Sequence, residues 1–192
     1  MKLLEFIGTP RAGKTTQIKL LKRYLEKRGL RVKVVTDRFR ASHIKTPPNE
    51  VIAYKLVFFS KALEDYFRYK DKYDVMIIDR GFYDSIIWFE TERRLGHLTP
   101  KRADELKKTF FEYTKKVDKI VCLLINPEES QLRHTKTKHM KVDDVGMSKS
   151  YLEALRKAYQ SYRNQWPNCL YITDQKAPSE IHRTIVGFIE KE

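Results

Sequence analysis

The chain has 192 residues, with 39 Lys and Arg against 25 Asp and Glu, a formal net charge of +14. At 41% hydrophobic and 12% aromatic residues it holds enough apolar surface for a sizeable core, which excludes wholesale disorder, and its length suits one domain or one domain with a lid. The positive excess points to anionic partners such as phosphates, nucleotides or nucleic acid, or to a merely solubilising surface.

The first apolar run, Leu3 to Ile7, reads as a strand buried on both faces. Glu5 interrupts it, so it is not the apolar segment of a signal peptide. Gly8-Thr9-Pro10-Arg11-Ala12-Gly13-Lys14-Thr15 follows at once, a full G-x-x-x-x-G-K-[ST] match between a strand and a helix predicted over Lys14 to Arg28. The chemistry dictates these residue types. Gly8 and Gly13 let a row of backbone N–H groups turn toward one anion, and the helix adds the positive end of its dipole. Lys14 supplies a point charge for the β- and γ-phosphates, and the Thr15 hydroxyl is a Mg²⁺ ligand candidate. The pattern predicts binding of a nucleoside triphosphate with Mg²⁺.

A strand over Arg31 to Thr36 ends in Thr36-Asp37-Arg38-Phe39-Arg40. At the carboxyl edge of a parallel sheet, Asp37 could accept a proton from an acceptor hydroxyl, and Arg38 and Arg40 could bind its phosphate. A helix over Asn49 to Lys70 carries Phe58 and Phe59, core residues or a stacking platform for a base. A strand over Asp74 to Asp79 leads into Arg80 and Gly81. Asp79 could hold Mg²⁺ through water or orient the attacking oxygen. Arg80 could clamp an acceptor phosphate or stabilise charge on the group in transit.

Helices are predicted over Phe82 to Leu95, Pro100 to Lys116, Ser148 to Gln165 and Pro178 to Lys191, and strands over Lys119 to Ile125 and Cys169 to Thr173. Cys122 and Cys169 lie in those strands and read as buried thiols. His134 to Lys149 is rich in lysine and poor in large apolar residues, so it reads as an exposed loop, either a solvated connection or a flap over phosphates. Tyr151, Tyr159 and Tyr162 recur at packing spacings and read as structural. No stretch approaches the roughly 20 apolar residues of a membrane span. A soluble, cytoplasmic protein is expected, with an α/β fold: a doubly wound, five-stranded parallel sheet flanked by helices.

In sum these motifs resemble the thymidylate kinase branch of the P-loop nucleoside monophosphate kinases, over nearly the whole chain. Pro10-Arg11-Ala12-Gly13-Lys14-Thr15-Thr16-Gln17 is similar to that family's D-R-A-G-K-[ST]-T-Q loop. Asp79-Arg80-Gly81-Phe82-Tyr83-Asp84-Ser85 resembles its D-R-[YF] signature, Asn126-Pro127-Glu128-Glu129 its S-P-E-E, and Asp37-Arg38 its acidic–basic pair after the second strand.

The resemblance implies one P-loop kinase domain over 1–192, with a short basic lid over about 133–149. It implies donor-phosphate binding by Gly8, Arg11, Ala12, Gly13, Lys14, Thr15 and Thr16, with Arg11 reaching toward the transferred group. Asp37, Arg38, Phe59 and Arg80 would meet the acceptor, Asp79 would lie near the metal, and Arg133 with the lid lysines would close on ATP. The family tends to form homodimers. Two departures fall on acceptor recognition: Pro10 replaces an Asp that meets the acceptor sugar, and Ala62 or Leu63 stands where an Arg reaches the base. A nucleoside kinase, or a kinase or NTPase acting on or bound to RNA, is the alternative.

Overall fold

The computed structural model describes residues 1–36, 51–136, 145–166, 168–173 and 177–191. Five strands, β1 (Lys2–Gly8), β2 (Val32–Thr36), β3 (Val75–Asp79), β4 (Lys119–Leu123) and β5 (Cys169–Ile172), form one parallel sheet in the order β2-β3-β1-β4-β5. The expected five-stranded, doubly wound α/β sheet is present, with strand ends within two residues of the predicted ones. Because β1 lies between β3 and β4, the chain leaves it toward one edge and later returns to its other side. Its carboxyl end is therefore the switch point of the sheet, where a crevice opens.

Alternation along the strands divides the core in two. Leu4, Phe6, Val75, Ile77, Val121 and Leu123 face α1 (Lys14–Lys27) and the last helix, whose Ile185 and Ile189 are buried with them. Leu3, Ile7, Met76, Ile78, Ile120 and Cys122 face the other layer. That layer comprises α2 (Val51–Tyr69), α3 (Phe82–Arg94), α4 (Pro100–Thr114) and α6 (Lys149–Ser161). The last helix, α7, spans Pro178–Glu190. In α1 the buried Ile18, Leu21 and Leu25 fall at helical spacing, so one stripe meets the sheet and the lysine-rich remainder stays in water. The helix α3 differs: ten of its residues, from Phe82 to Glu92, are buried, because α2, α4 and α6 all pack on it.

One helix departs from the sequence reading. Residues Pro127–Thr135 form α5, where only the resemblance had placed a motif. Asn126 caps it, accepting the Glu129 N–H at 2.8 Å, with Pro127 in the first turn and Glu128 and Glu129 near the positive end of the dipole. Helical periodicity fails here because only Pro127 and Ser130 are buried; the start signal alone was legible. The segment expected as a loop from His134 thus begins helical, and a 3₁₀ turn (Val145–Met147) precedes α6. Met147 is buried and its carbonyl accepts from Gln131 at 3.0 Å, so the far end of that segment is anchored rather than exposed. Residues 137–144, most of the expected lid, lie outside the described residues. Both cysteines are free, and no helix among the described residues is long and apolar enough to cross a membrane.

Candidate active site

Gly8 ends β1 with a φ of +131°, and a Cβ there would stand 1.9 Å from the Leu123 carbonyl oxygen of β4. Only a residue without a side chain permits that approach. The loop then curls over Thr9, whose hydroxyl accepts the Ile125 N–H at 3.0 Å, tying the loop to the end of β4. Gly13, with φ +90°, hands the chain into α1, where Lys14 is buried, Thr15 half-buried and Thr16 exposed. Lys14 Nζ folds back on the loop, donating to the Gly8 and Thr9 carbonyls at 3.0 and 2.9 Å. Burial and then the Arg80 guanidinium pull its pKa down to about 8, with Asp79 and Asp84 opposing them.

Arg11 and Arg133 meet at the loop's outer side. Arg11, at φ +61°, places Nη2 2.9 Å from His134 Nδ1. Arg133 pairs with Glu129 at 2.6 Å and donates to the Arg11 carbonyl at 3.3 Å, while Ser130 Oγ donates to the Pro10 carbonyl at 2.8 Å. Hence α5 rests directly on the phosphate-loop backbone.

Across the crevice, Asp79 ends β3 opposite Phe6 of β1, and Arg80 follows with φ +62°. A non-glycine residue held in this left-handed region costs on the order of 1–3 kcal/mol, strain that concentrates at functional positions. Arg80 Nη2 approaches the Gly8 carbonyl at 3.4 Å and Nη1 lies 3.7 Å from Asp84. Lys55 of α2 approaches the same carboxylate at 3.8 Å and sits over the Trp88 ring. Lys55, Phe58, Arg80, Gly81, Asp84 and Ser85 line a small cleft there. Burial pushes the Asp84 carboxyl up, but Arg80, then Lys55, the Tyr159 hydroxyl and Lys14 outweigh it and hold it below the usual carboxylate range.

The turn at Arg80 and Gly81 is built by Glu5, a residue the sequence reading used only to dismiss a signal peptide. Strand alternation sends its side chain to the face of Leu3 and Ile7, under the start of α3. One carboxylate oxygen accepts the Gly81 and Asp84 N–H groups at 2.9 and 3.0 Å, and the other those of Phe82 and Tyr83 at 3.1 Å. Burial pushes this carboxyl up to about 7 against those amides, yet with two N–H groups on each oxygen the ionised form is the one the geometry accommodates. Glu5→Gln turns an NH₂ group toward backbone donors and is expected to cost about 3 kcal/mol of stability in urea unfolding.

The structure brings together the loop from Gly8 to Thr16 with Asp79, Arg80, Arg11 and Arg133. Asp37 and Arg38 lie outside the described residues. Phe59 is corrected: it is buried in the core against Phe82, Phe110 and Tyr113, with ring centroids 4.0–5.4 Å apart. Its neighbour Phe58 lines the cleft instead, since adjacent residues of a helix point about 100° apart. Lys55, Asp84 and Tyr159 were not among the expected site residues: Lys55 and Tyr159 reach the cleft only through tertiary packing, whereas Asp84 lies one helical turn after Arg80, a local spacing that could have signalled it. For Mg²⁺, Thr15 and Asp79 offer a hydroxyl and a carboxylate. These hard oxygen donors suit an ion that takes one or two protein ligands beside phosphates and water. Among the described residues no cluster of three or more His, Cys, Asp or Glu offers a separate metal cage.

No family model matches the sequence. Among solved structures, the chain is similar to a deoxyadenosine kinase from M. mycoides with bound dATP, at a TM-score of 0.72 and 14% identity, covering 100% of both chains. It is similar also to the same kinase with the products dCMP and a flexible dCDP bound, at 0.61 and 14%, covering 97% of this chain and 98% of the other. At that identity the likeness is one of fold: a five-stranded parallel sheet with its flanking helices.

Proposed function

We propose that this chain transfers the γ-phosphoryl group of ATP to a nucleoside monophosphate, as a kinase similar to the thymidylate branch. One observation carries the reading. A glycine loop with a buried lysine adjoins a cleft at the carboxyl end of the neighbouring strand β3, and two cations, Arg80 and Lys55, line that cleft. The loop amides and Lys14 hold the donor phosphates. Arg80 and Lys55 bind and orient the acceptor's phosphate, so that its oxygen meets the γ-phosphorus in line. Thr15 and Asp79 would hold Mg²⁺, which would supply charge neutralisation at the donor phosphates. Arg11 and Arg133, at the loop's outer edge, shield the site from competing water.

ATP consumption by purified protein across nucleosides, nucleoside monophosphates and tRNA tests this. Turnover is expected with one or more of the monophosphates, and turnover with tRNA alone would overturn the reading. Arg80→Ala should lower kcat/KM for the acceptor by about 10²–10³-fold and leave the Kd for ATP within about threefold; unchanged acceptor kinetics would return Arg80 to a structural role. The fold likeness to deoxyadenosine kinase favours a second reading, with a nucleoside as acceptor. Activity on deoxyadenosine but not on deoxyadenosine monophosphate would select it.

The pKa of Lys14 adds a pH dependence. Only the protonated amine attracts phosphate, and in the free protein it loses its proton near pH 8. ATP affinity should therefore fall as pH rises above about 8. Binding near pH 8.5 should take up protons, read by calorimetry in two buffers of different ionisation enthalpy. No uptake would place the amine away from the phosphates.

A further inference from the structure

Gly8, the phosphate loop's first residue, lies in a closed circuit of polar contacts. Its carbonyl accepts from Lys14 and is approached by Arg80 at 3.4 Å, while its N–H donates to the Tyr159 hydroxyl at 2.9 Å. Tyr159 in turn donates to Asp84 Oδ1 at 2.7 Å, and Asp84 Oδ2 faces both Arg80 and Lys55. Tyr159 is wholly buried on α6, where phenylalanine would fill nearly the same space. Its hydroxyl instead meets a backbone donor of the loop and a carboxylate that neighbours the acceptor-side cations. Donating to an anion polarises the phenol, which makes its oxygen a better acceptor for the Gly8 amide.

We propose that Tyr159 is a positioning residue: through one hydroxyl it sets the phosphate loop and the Asp84–Arg80–Lys55 cluster at a fixed separation, so that donor and acceptor phosphates are held in register. This rests on the phosphoryl-transfer reading for its consequence, though not for the contact itself. Transfer demands near-attack geometry, and a displacement of about 1 Å costs on the order of 10²-fold in rate. Each half can still bind its own substrate when the tie is cut. What is lost is their alignment, which predicts a fall in kcat rather than a rise in either KM.

Two measurements on the full chain decide the matter. Amide hydrogen exchange by NMR should show Gly8 protection falling at least about tenfold in Tyr159→Phe, while core amides such as those of Leu21 and Ile77 keep theirs. Asp84→Asn should also lower Gly8 protection through the phenol, whereas Arg80→Ala, which cuts the other route from Asp84 to Gly8, should leave it unchanged. In kinetics, Tyr159→Phe should lower kcat by about 10–100-fold with both KM values within about threefold, and the double variant Tyr159→Phe/Asp84→Asn should fall no further than the worse single one. Unchanged Gly8 protection in Asp84→Asn, additive losses in the double variant, or an unchanged kcat in Tyr159→Phe would each overturn the proposal. Uniform loss of protection across the core would do the same, by reducing Tyr159 to packing. Should Tyr159→Phe fail to fold, Asp84→Asn alone carries the exchange test. Absence of transfer by the wild-type chain to every acceptor would sink the phosphoryl-transfer reading by itself; the exchange results would still decide the contact.

Discussion

Lys14→Met is expected to reduce phosphoryl transfer by at least about 10³-fold while the protein remains folded. The loss is large because this amine is the one cation of the loop buried at the switch point, where low dielectric magnifies each interaction with the transferring group. Stability should not fall with it. The folded lysine releases its proton near pH 8, against an ordinary value of 10.5. Between those values the unfolded chain holds more protons, so wild-type stability rises with pH across that window; below pH 8 the buried charge is a cost. The variant lacks that group, so its unfolding free energy should change less between pH 8 and 10.5 and should equal or exceed that of the wild type at pH 7. Urea titrations at three pH values measure this. Retained transfer in Lys14→Met would remove the loop from the mechanism.

Gly8→Ala is expected to abolish folding or to destabilise the protein by more than about 4 kcal/mol, the range reserved for severe steric insult. The added Cβ would lie 1.9 Å from the Leu123 oxygen and under 3 Å from that residue's carbonyl carbon and nitrogen. All three are backbone atoms of a central strand, so nothing flexible gives way. The second glycine of the motif provides the control. A Cβ at Gly13 meets nothing within 4 Å, and only its left-handed φ resists substitution, at about 1–2 kcal/mol. Gly13→Ala should therefore fold and unfold cooperatively at a modestly lower temperature. Equal melting temperatures for the two variants would refute the close approach of β1 and β4.

The two glycines thus share a motif and not a reason. The pattern G-x-x-x-x-G-K-[ST] is legible in one dimension because its spacing is local, yet which glycine is pinned by a neighbouring strand depends on β4, over a hundred residues away. Asp79 and Arg80 were legible for the same local reason, as a polar pair ending an apolar run. Phe59 was not separable from Phe58, since the choice between core and cleft turns on the phase of one helix against the sheet. The helix α5 announced only its cap, because it lies on the loop through Ser130 and Arg133 rather than on an apolar face.

By itself the sequence determined the five strands, the long helices between them, and a loop chemically suited to phosphate, since apolar period, capping residues and turn glycines act over a few residues. Tertiary structure alone decided the order β2-β3-β1-β4-β5, the use of Glu5 to hold the Arg80 turn, and the meeting of Gly8, Tyr159, Asp84 and Lys55. Those contacts join residues as many as 151 positions apart. A hydroxyl or carboxylate carries no mark of a partner that only chain folding brings within 3–4 Å.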